Sequence, residues 1–301
     1  MEKIKRVISV LMLIVMVLGL LPGGMMEKSY AEDEDGYGIA RDFIKTPEGE
    51  IIYTFTNLQG EYPDFPEGVK AKKVTASGGN DFEVSVEYHY NYILSDEGHV
   101  YRNGYNEKKY LNNFERVEGL ENIKDISGGL ALDSDGNVYD LSFGIENSRY
   151  GEKIEGLGKV EKIFDLMKYR TLSENKIVMN DQGEIYVWGY NSLGMLGCGD
   201  DKRRNSPVLI DFKDVDKVVM GNSHYTVIWL KDGKVYVSGE GPKSMGELRF
   251  NKPTLMPMYD DVVDIIDGGF LVHSDGSMSW IGDLDLKKYY NFVEEKIEDY
   301  Y

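Results

Sequence analysis

The side chains able to do chemistry are few and poorly spaced for it. Histidines stand at positions 89, 99, 224 and 273, with no i, i+4 pair and no His-Glu-x-x-His run, which removes the helix-borne zinc site of a metalloprotease. The single cysteine, Cys198, forms no internal disulfide, and with four scattered histidines it cannot complete a structural zinc cluster. Among the serines, Gly221-Asn222-Ser223-His224-Tyr225 comes nearest to a nucleophile elbow but ends in Tyr where that sharp turn needs Gly. There is no P-loop. Asp133-Ser134-Asp135-Gly136 opens like a calcium loop yet lacks the later ligands and the glutamate at the twelfth position, so a tight turn is the better reading. Carboxylates are abundant enough to supply a glycosidase pair anywhere, because separation in sequence says nothing of separation in space. No catalytic residue, metal ligand or cofactor is nominated, and a non-enzymatic role is the expectation.

Contact chemistry offers more. Tyr88, Tyr90 and Tyr92 alternate, so on a strand they share one side, with His89 and Asn91 on the other. They form either half of an aromatic recognition surface or packing between repeated units. Three consecutive bases, Lys202, Arg203 and Arg204, interrupt an acidic chain close to Tyr190 and would suit the rim of a partner site, or simply a solvated loop. Tyr190, Lys202, Arg203, Arg204, Tyr88 and Tyr90 are therefore the candidate binding residues.

The elements that must position these side chains are legible as a repeat. An acidic or amide residue, Gly, any residue and an aliphatic recur six times, around Gly49, Gly98, Gly136, Gly183, Gly233 and Gly276, at a mean spacing of about 45 residues. Asp-Gly between alternating apolar runs supplies the positive φ angles of a tight hairpin turn, so six β-hairpins are expected. Six residues beyond the turn glycine a second Gly recurs as Gly104, Gly189, Gly239 and Gly282. Upstream lies a β-branched stretch, Val74 to Gly79, Ile123 to Gly129, Val215 to Gly221 and Val262 to Gly269, with a degenerate copy at Val160 to Leu166 that lacks the glycine. Several strands per unit at this period predict an all-β chain, a β-propeller of six or seven blades built from four-stranded repeats, and an evenly spaced sandwich or barrel is the alternative.

From Val187 to Gly241 the pattern sharpens. Val187-Trp188-Gly189-Tyr190-Asn191-Ser192-Leu193-Gly194-Met195-Leu196-Gly197-Cys198-Gly199, followed by Pro207, Ile210, Val215 to Gly221, His224 and Asp232-Gly233, resembles the regulator of chromosome condensation repeat. The resemblance implies a propeller in which Trp188, Gly189, Gly194, Leu196, Gly197, Gly221, His224 and Gly233 are structural positions. Met195 stands where that family usually has Gln.

Charge and the N-terminus bound the partners. The chain of 301 residues has 34 basic and 52 acidic side chains, a formal charge of -18 that disfavours phosphate backbones and acidic membranes, so no nucleic-acid partner is expected. Lys3, Lys5 and Arg6, the apolar run Val7 to Leu21 and the small residues before Ala31 have the order of a secretory signal peptide, with cleavage expected after Ala31 and an uncleaved anchor as the alternative. The remaining divisions are a propeller over 32–285 and a polar tail over 286–301. Export argues against a nuclear GTPase partner. The expected function is a secreted, non-enzymatic propeller binding an extracellular or cell-envelope protein through the loops of one face, with glycan binding or cleavage as the alternative. A strand near Tyr37 to Ile44 pairing with the last unit would protect the open edge.

Overall fold

Each repeat glycine lies between two paired strands, so all six expected hairpins form. The structure, a computed structural model, describes residues 43–45, 51–53, 66–81, 86–106, 109–127, 129–141, 151–164, 166, 175–221, 226–241, 248–266 and 268–281. Residues 1–31, read as a signal peptide, His224 and residues 286–301, read as a polar tail, lie outside these residues.

The first sheet pairs β1 (Phe43–Lys45) with β2 (Ile51–Tyr53). The second runs β3 (Ala71–Asp81), β4 (Val86–Ser95), β5 (Val100–Asn106) and β6 (Lys109–Arg116) in order. The third holds β7 (Ile123–Ser127), β8 (Leu130–Asp133) and β9 (Val138–Asp140), with a single bridge from Tyr139 to Lys153 where a fourth strand would run. The fourth contains β10 (Val160–Phe164), β11 (Lys176–Asn180), β12 (Glu184–Gly189) and β13 (Arg204–Lys213). The fifth contains β14 (Lys217–Met220), β15 (Thr226–Lys231), β16 (Lys234–Glu240) and β17 (Arg249–Leu255). The sixth has β18 (Val262–Ile266), β19 (Phe270–His273) and β20 (Met278–Trp280). All pairs are antiparallel, and the strand that opens each sheet from the second onward adjoins the corresponding strand of the next. The degenerate stretch at Val160 still makes a strand, because Val160 and Ile163 bury against the third sheet without needing the missing glycine.

The turns differ in detail from the tight Asp-Gly turn expected. Among the described turns, only at Asp232 and Gly233 do both residues have positive φ, 51° and 70°, closing a two-residue loop between Lys231 and Lys234. At Gly98, Gly136, Gly183 and Gly276 only the glycine is left-handed, which makes a three-residue loop with the glycine as its bulge. At Gly98, Gly136 and Gly183 the side chain three residues before the glycine then stabilises the loop. Asp133 Oδ1 accepts from the amides of Asp135 and Asn137, and Asn180 Oδ1 from those of Gln182 and Glu184. Burial alone pushes the Asp133 carboxyl up, but donors from Asn137, Tyr139 and Asp135 outweigh it and hold the group below its ordinary 3.8. The second glycines are bulges too: the ladder shifts register at Gly104, Gly189 and Gly239, whose φ values of 135°, 112° and 90° suit glycine.

Sheets join face to face through continuous apolar clusters. Leu130, Leu132 and Val138 of the third sheet pack on Val160, Ile163 and Val178 of the fourth, and the other neighbours repeat this arrangement. A backbone contact fixes the spacing. The carbonyls of Gly98, Gly136 and Gly233 accept from the amides of Ile123, Val160 and Val262, each the first residue of the next sheet, and Gly183 accepts from Asp214 just ahead of β14.

Side chains at Gly98 and Gly136 would crowd the strand that opens the neighbouring sheet, whereas a Cβ at Gly233 would lie 3.7 Å from the Val262 carbonyl oxygen. A Cβ on Gly136 would lie 2.6 Å from Lys159 Cγ and 3.0 Å from the carbonyl oxygen of Val160, whereas one on Gly119, at a similar φ of 80°, meets nothing within 4 Å. Gly119→Ala is expected to cost about 1 kcal/mol of left-handed strain. Gly136→Ala is expected to cost roughly 1–3 kcal/mol more, read as the difference in denaturant midpoints. Equal losses in the two variants would refute the crowding.

Candidate functional site

The loop 190–203 crosses from β12 to β13 at the strand ends opposite the turn glycines. Its backbone is folded tightly because glycine permits it. Ser192–Gly194 forms one 3-10 turn with Leu193 at φ 58°, and Gly194, Gly197 and Gly199 all have positive φ. The loop lies against the fifth sheet. A Cβ on Gly194 would fall 2.7 Å from Asn251 Cα, and one on Gly197 2.8 Å from Pro253 Cδ. Gly199 N donates to Asn251 O, while Asn251 Nδ2 donates back to Gly199 O. Deeper in, the Trp229 indole donates to Ser238 Oγ, which in turn donates to the Met195 carbonyl, so a core tryptophan of the fifth sheet anchors the loop of the fourth.

Inside the loop the pivot is Asn191, whose buried amide accepts from Leu196 N and donates to Asp200 O. Asp200 receives both Arg204 contacts, at 2.8 and 2.9 Å, and the Lys202 amide at 3.0 Å. The Arg204 guanidinium holds the Asp200 carboxyl below its ordinary 3.8, and the carboxylate in return raises Arg204. Burial pushes the Cys198 thiol up, which makes it a poor nucleophile at neutral pH.

A second polar group lies at the same strand ends between the third and fourth sheets. Ser127, Leu130 and Asp140 sit opposite one another across three strands, and Lys176 Nζ reaches Asp140 Oδ1 at 3.6 Å with both side chains buried. The Ser127 hydroxyl and both ends of the Asn175 amide are buried without a hydrogen-bond partner among the described residues. Among the described residues, no three His, Cys, Asp or Glu side chains gather as a metal site would require.

The structure separates the residues that the sequence brought forward. Lys202 is exposed, Arg203 and Tyr190 are half-buried, and Tyr190 packs on the core beneath the loop. Arg204 is committed to Asp200 and to the Lys202 carbonyl, so its charge organises the loop instead of meeting solvent as an open contact. Tyr90 is 3% exposed, packed against Tyr92 and with Arg102 over its ring, which places it in the core and off any recognition surface. Tyr88 lies on β4 opposite Gly79 and Asn106. Trp188 is buried between the third and fourth sheets, Gly221 would press a Cβ on Thr226, and Gly233 forms its hairpin turn. Sequence reasoning passed over Asn191, Asp200 and Lys176. A mid-loop asparagine flanked by positive-φ residues was the available signal for the first; a lysine opening a strand gave none.

The geometry agrees with what the chain resembles. Residues 182–228 match the family described as Regulator of chromosome condensation (RCC1) repeat. The chain is 25% identical over 187 residues to the ultraviolet-B receptor UVR8 of Arabidopsis thaliana, covering 56% of this chain and 42% of the receptor. It is 32% identical over 77 residues to the protein RCC2 homolog of Danio rerio, covering 25% of this chain and 15% of that protein. The matches thus span less than half the length of these relatives. A solved chain in the crystal structure of Kap60 bound to yeast RCC1 (Prp20) superposes with a TM-score of 0.50 at 16% identity, over 69% of this chain and 55% of that one. The chain carries an RCC1 repeat, and its fold is an all-β propeller.

The Asp200–Arg204 clamp sets a pH dependence for the loop. Because the Asp200 carboxyl sits below its ordinary value, its contribution is complete above that value and is lost as pH falls through and below 3.8. The protection factor of the Lys202 amide, corrected for intrinsic exchange, is expected to hold at neutral pH and to drop on acidification, with Asp200→Asn showing the low value throughout. A factor that stays flat to pH 3 and is unchanged in Asp200→Asn would contradict the clamp.

Proposed function

We propose that this propeller is exported and acts without catalysis, binding another protein through the connections at the strand ends opposite its turn glycines. The observation that carries the reading is the loop 190–203. Asn191 holds it together internally, Asp200 ties it to Arg204 of β13 and the Met195 carbonyl ties it to Ser238 of β16, and it carries the exposed Lys202 and half-buried Arg203 on a molecule whose formal charge is -18. A rigid loop loses little entropy on binding, and basic side chains on an acidic surface favour a partner with an acidic counterpart. The solved RCC1 bound to Kap60 offers a precedent for this fold carrying a protein partner. The basic, apolar and small-residue order of residues 1–31 supports export to the envelope or medium.

The glycan alternative rests on the tyrosines and carboxylates, and the tyrosines of the repeat give it little support. Tyr90 and Tyr92 are core side chains, and Tyr139, Tyr186 and Tyr236, at equivalent repeat positions, pack against the clusters between sheets. An aromatic platform for sugar rings needs open faces.

Two measurements test this. N-terminal sequencing of the exported chain is expected to begin at Glu32. The exported chain, immobilised and exposed to envelope and culture-fluid extracts, is expected to retain one dominant protein that Lys202→Glu with Arg203→Glu releases. Retention unchanged by that pair, or turnover of a substrate by the purified chain, would overturn the proposal.

A further inference from the structure

The loop 190–203 runs straight into β13, and that strand ends its sheet. β13 pairs with β12 on one side, and among the described residues no backbone hydrogen bond from outside that ladder reaches residues 205–212. The outer strand of the fifth sheet is met differently, because the loop 190–203 lies on it at Asn251 and Pro253. β13 is ten residues long, and a row of unpaired amides and carbonyls on a strand of that length is a template for another strand. Pro207 lies within it, a residue that sheets tolerate at their edges because it has no N–H to give.

The side chains on one face of this edge are open too. Ile210 is buried in the cluster shared with the fifth sheet, so its neighbour Leu209 points the other way, toward the third. Leu209 pairs with Tyr186, which packs on the cluster between the third and fourth sheets, as Ile154 does. Leu209 is 48% exposed, whereas Leu255, which pairs with Tyr236 in the same register of the fifth sheet, is half-buried. The reason lies in the third sheet. It has a single bridge, Tyr139 to Lys153, where a fourth strand would run, so among the described residues no outer strand stands beside Leu209 as β13 stands beside Leu255.

We propose that the protein partner of the loop 190–203 is received as an extended strand on the free edge of β13. This rests on the protein-binding reading and adds to it the mode of binding and the chemistry of the segment bound. Backbone pairing along 208–212 holds the segment, Leu209 with Tyr186 takes an apolar side chain, and Lys202 and Arg203 at the start of the strand take acidic ones. The segment is therefore one in which apolar and acidic residues alternate. A second copy of β13 does not fit, since its only acid is Asp211 and it would bring Pro207 into the new ladder.

The probe is a capped octapeptide alternating valine with glutamate, added to the chain as exported. Saturable binding is expected, with slowed exchange of amides between 208 and 212. Leu209→Asp, and separately Lys202→Glu with Arg203→Glu, are expected to weaken it about tenfold each, with Tm unchanged. Of two peptides N-methylated at alternate amides, one in each register, one is expected to lose binding; the protein is unaltered in that comparison, so misfolding cannot mimic the result. No binding, binding that leaves 208–212 exchanging as before, or binding by both N-methylated peptides overturns strand addition. Self-association of the chain through those amides without peptide would give the edge to a second copy and overturn it as well. The protein-binding reading fails separately, when the protein retained from extracts is not released by Lys202→Glu with Arg203→Glu.

Discussion

The contact on which the fold depends is the approach of each turn glycine to the strand that begins the next sheet. Where Gly98, Gly136 and Gly233 accept from Ile123, Val160 and Val262, backbone meets backbone, and at Gly98 and Gly136 a Cβ would fall within 3.2 Å of the next sheet's backbone. That contact sets where each strand starts, and therefore which side chains of one sheet face which of the next. Ile228 and Leu230 then meet Val262 and Leu271, as Leu130 and Leu132 meet Val160 and Val178. With one free cysteine and no disulfide, the apolar clusters between sheets supply the cohesion, and the glycines keep the sheets in register.

The same logic explains how much could be read from the residues. The hairpins were legible because a left-handed turn needs glycine and leaves it in the sequence at a regular period. The bulges at Gly104, Gly189 and Gly239 were legible for the same reason, though their positions alone did not say that they bend the ladder. Turn type was not legible, because Asp135-Gly136 and Asp232-Gly233 look alike while one loop has three residues and the other two. The difference lies three residues upstream, where Asp133 caps its loop and Leu230 cannot. Asn122 and Asp261, left-handed just before β7 and β18, were likewise missed, since asparagine and aspartate adopt that conformation without announcing it.

Candidate contact residues were harder to separate from packing ones. Alternating tyrosines suit a surface and a buried strand equally well, and Tyr90 and Tyr92 went inside because their sheet is covered on that face. In the stretch Lys202 to Arg204 the three bases look equivalent in sequence, yet Arg204 lies four residues from Asp200 across a tight loop and forms the clamp that displays the other two. A side chain that organises a site and one that meets the partner are thus distinguished by hydrogen bonds that no spacing rule supplies.

The most direct test of the glycine contact is hydrogen exchange at the amides of Ile123, Val160 and Val262. Each donates across a boundary between sheets, outside the ladder of its own sheet, so exchange there reports that boundary and not strand pairing. Protection as high as that of core amides such as Ile228 and Val178 is the result expected if the sheets are locked through their turns. Exchange at loop rates while those core amides stay protected would show that the sheets hold by side-chain packing alone.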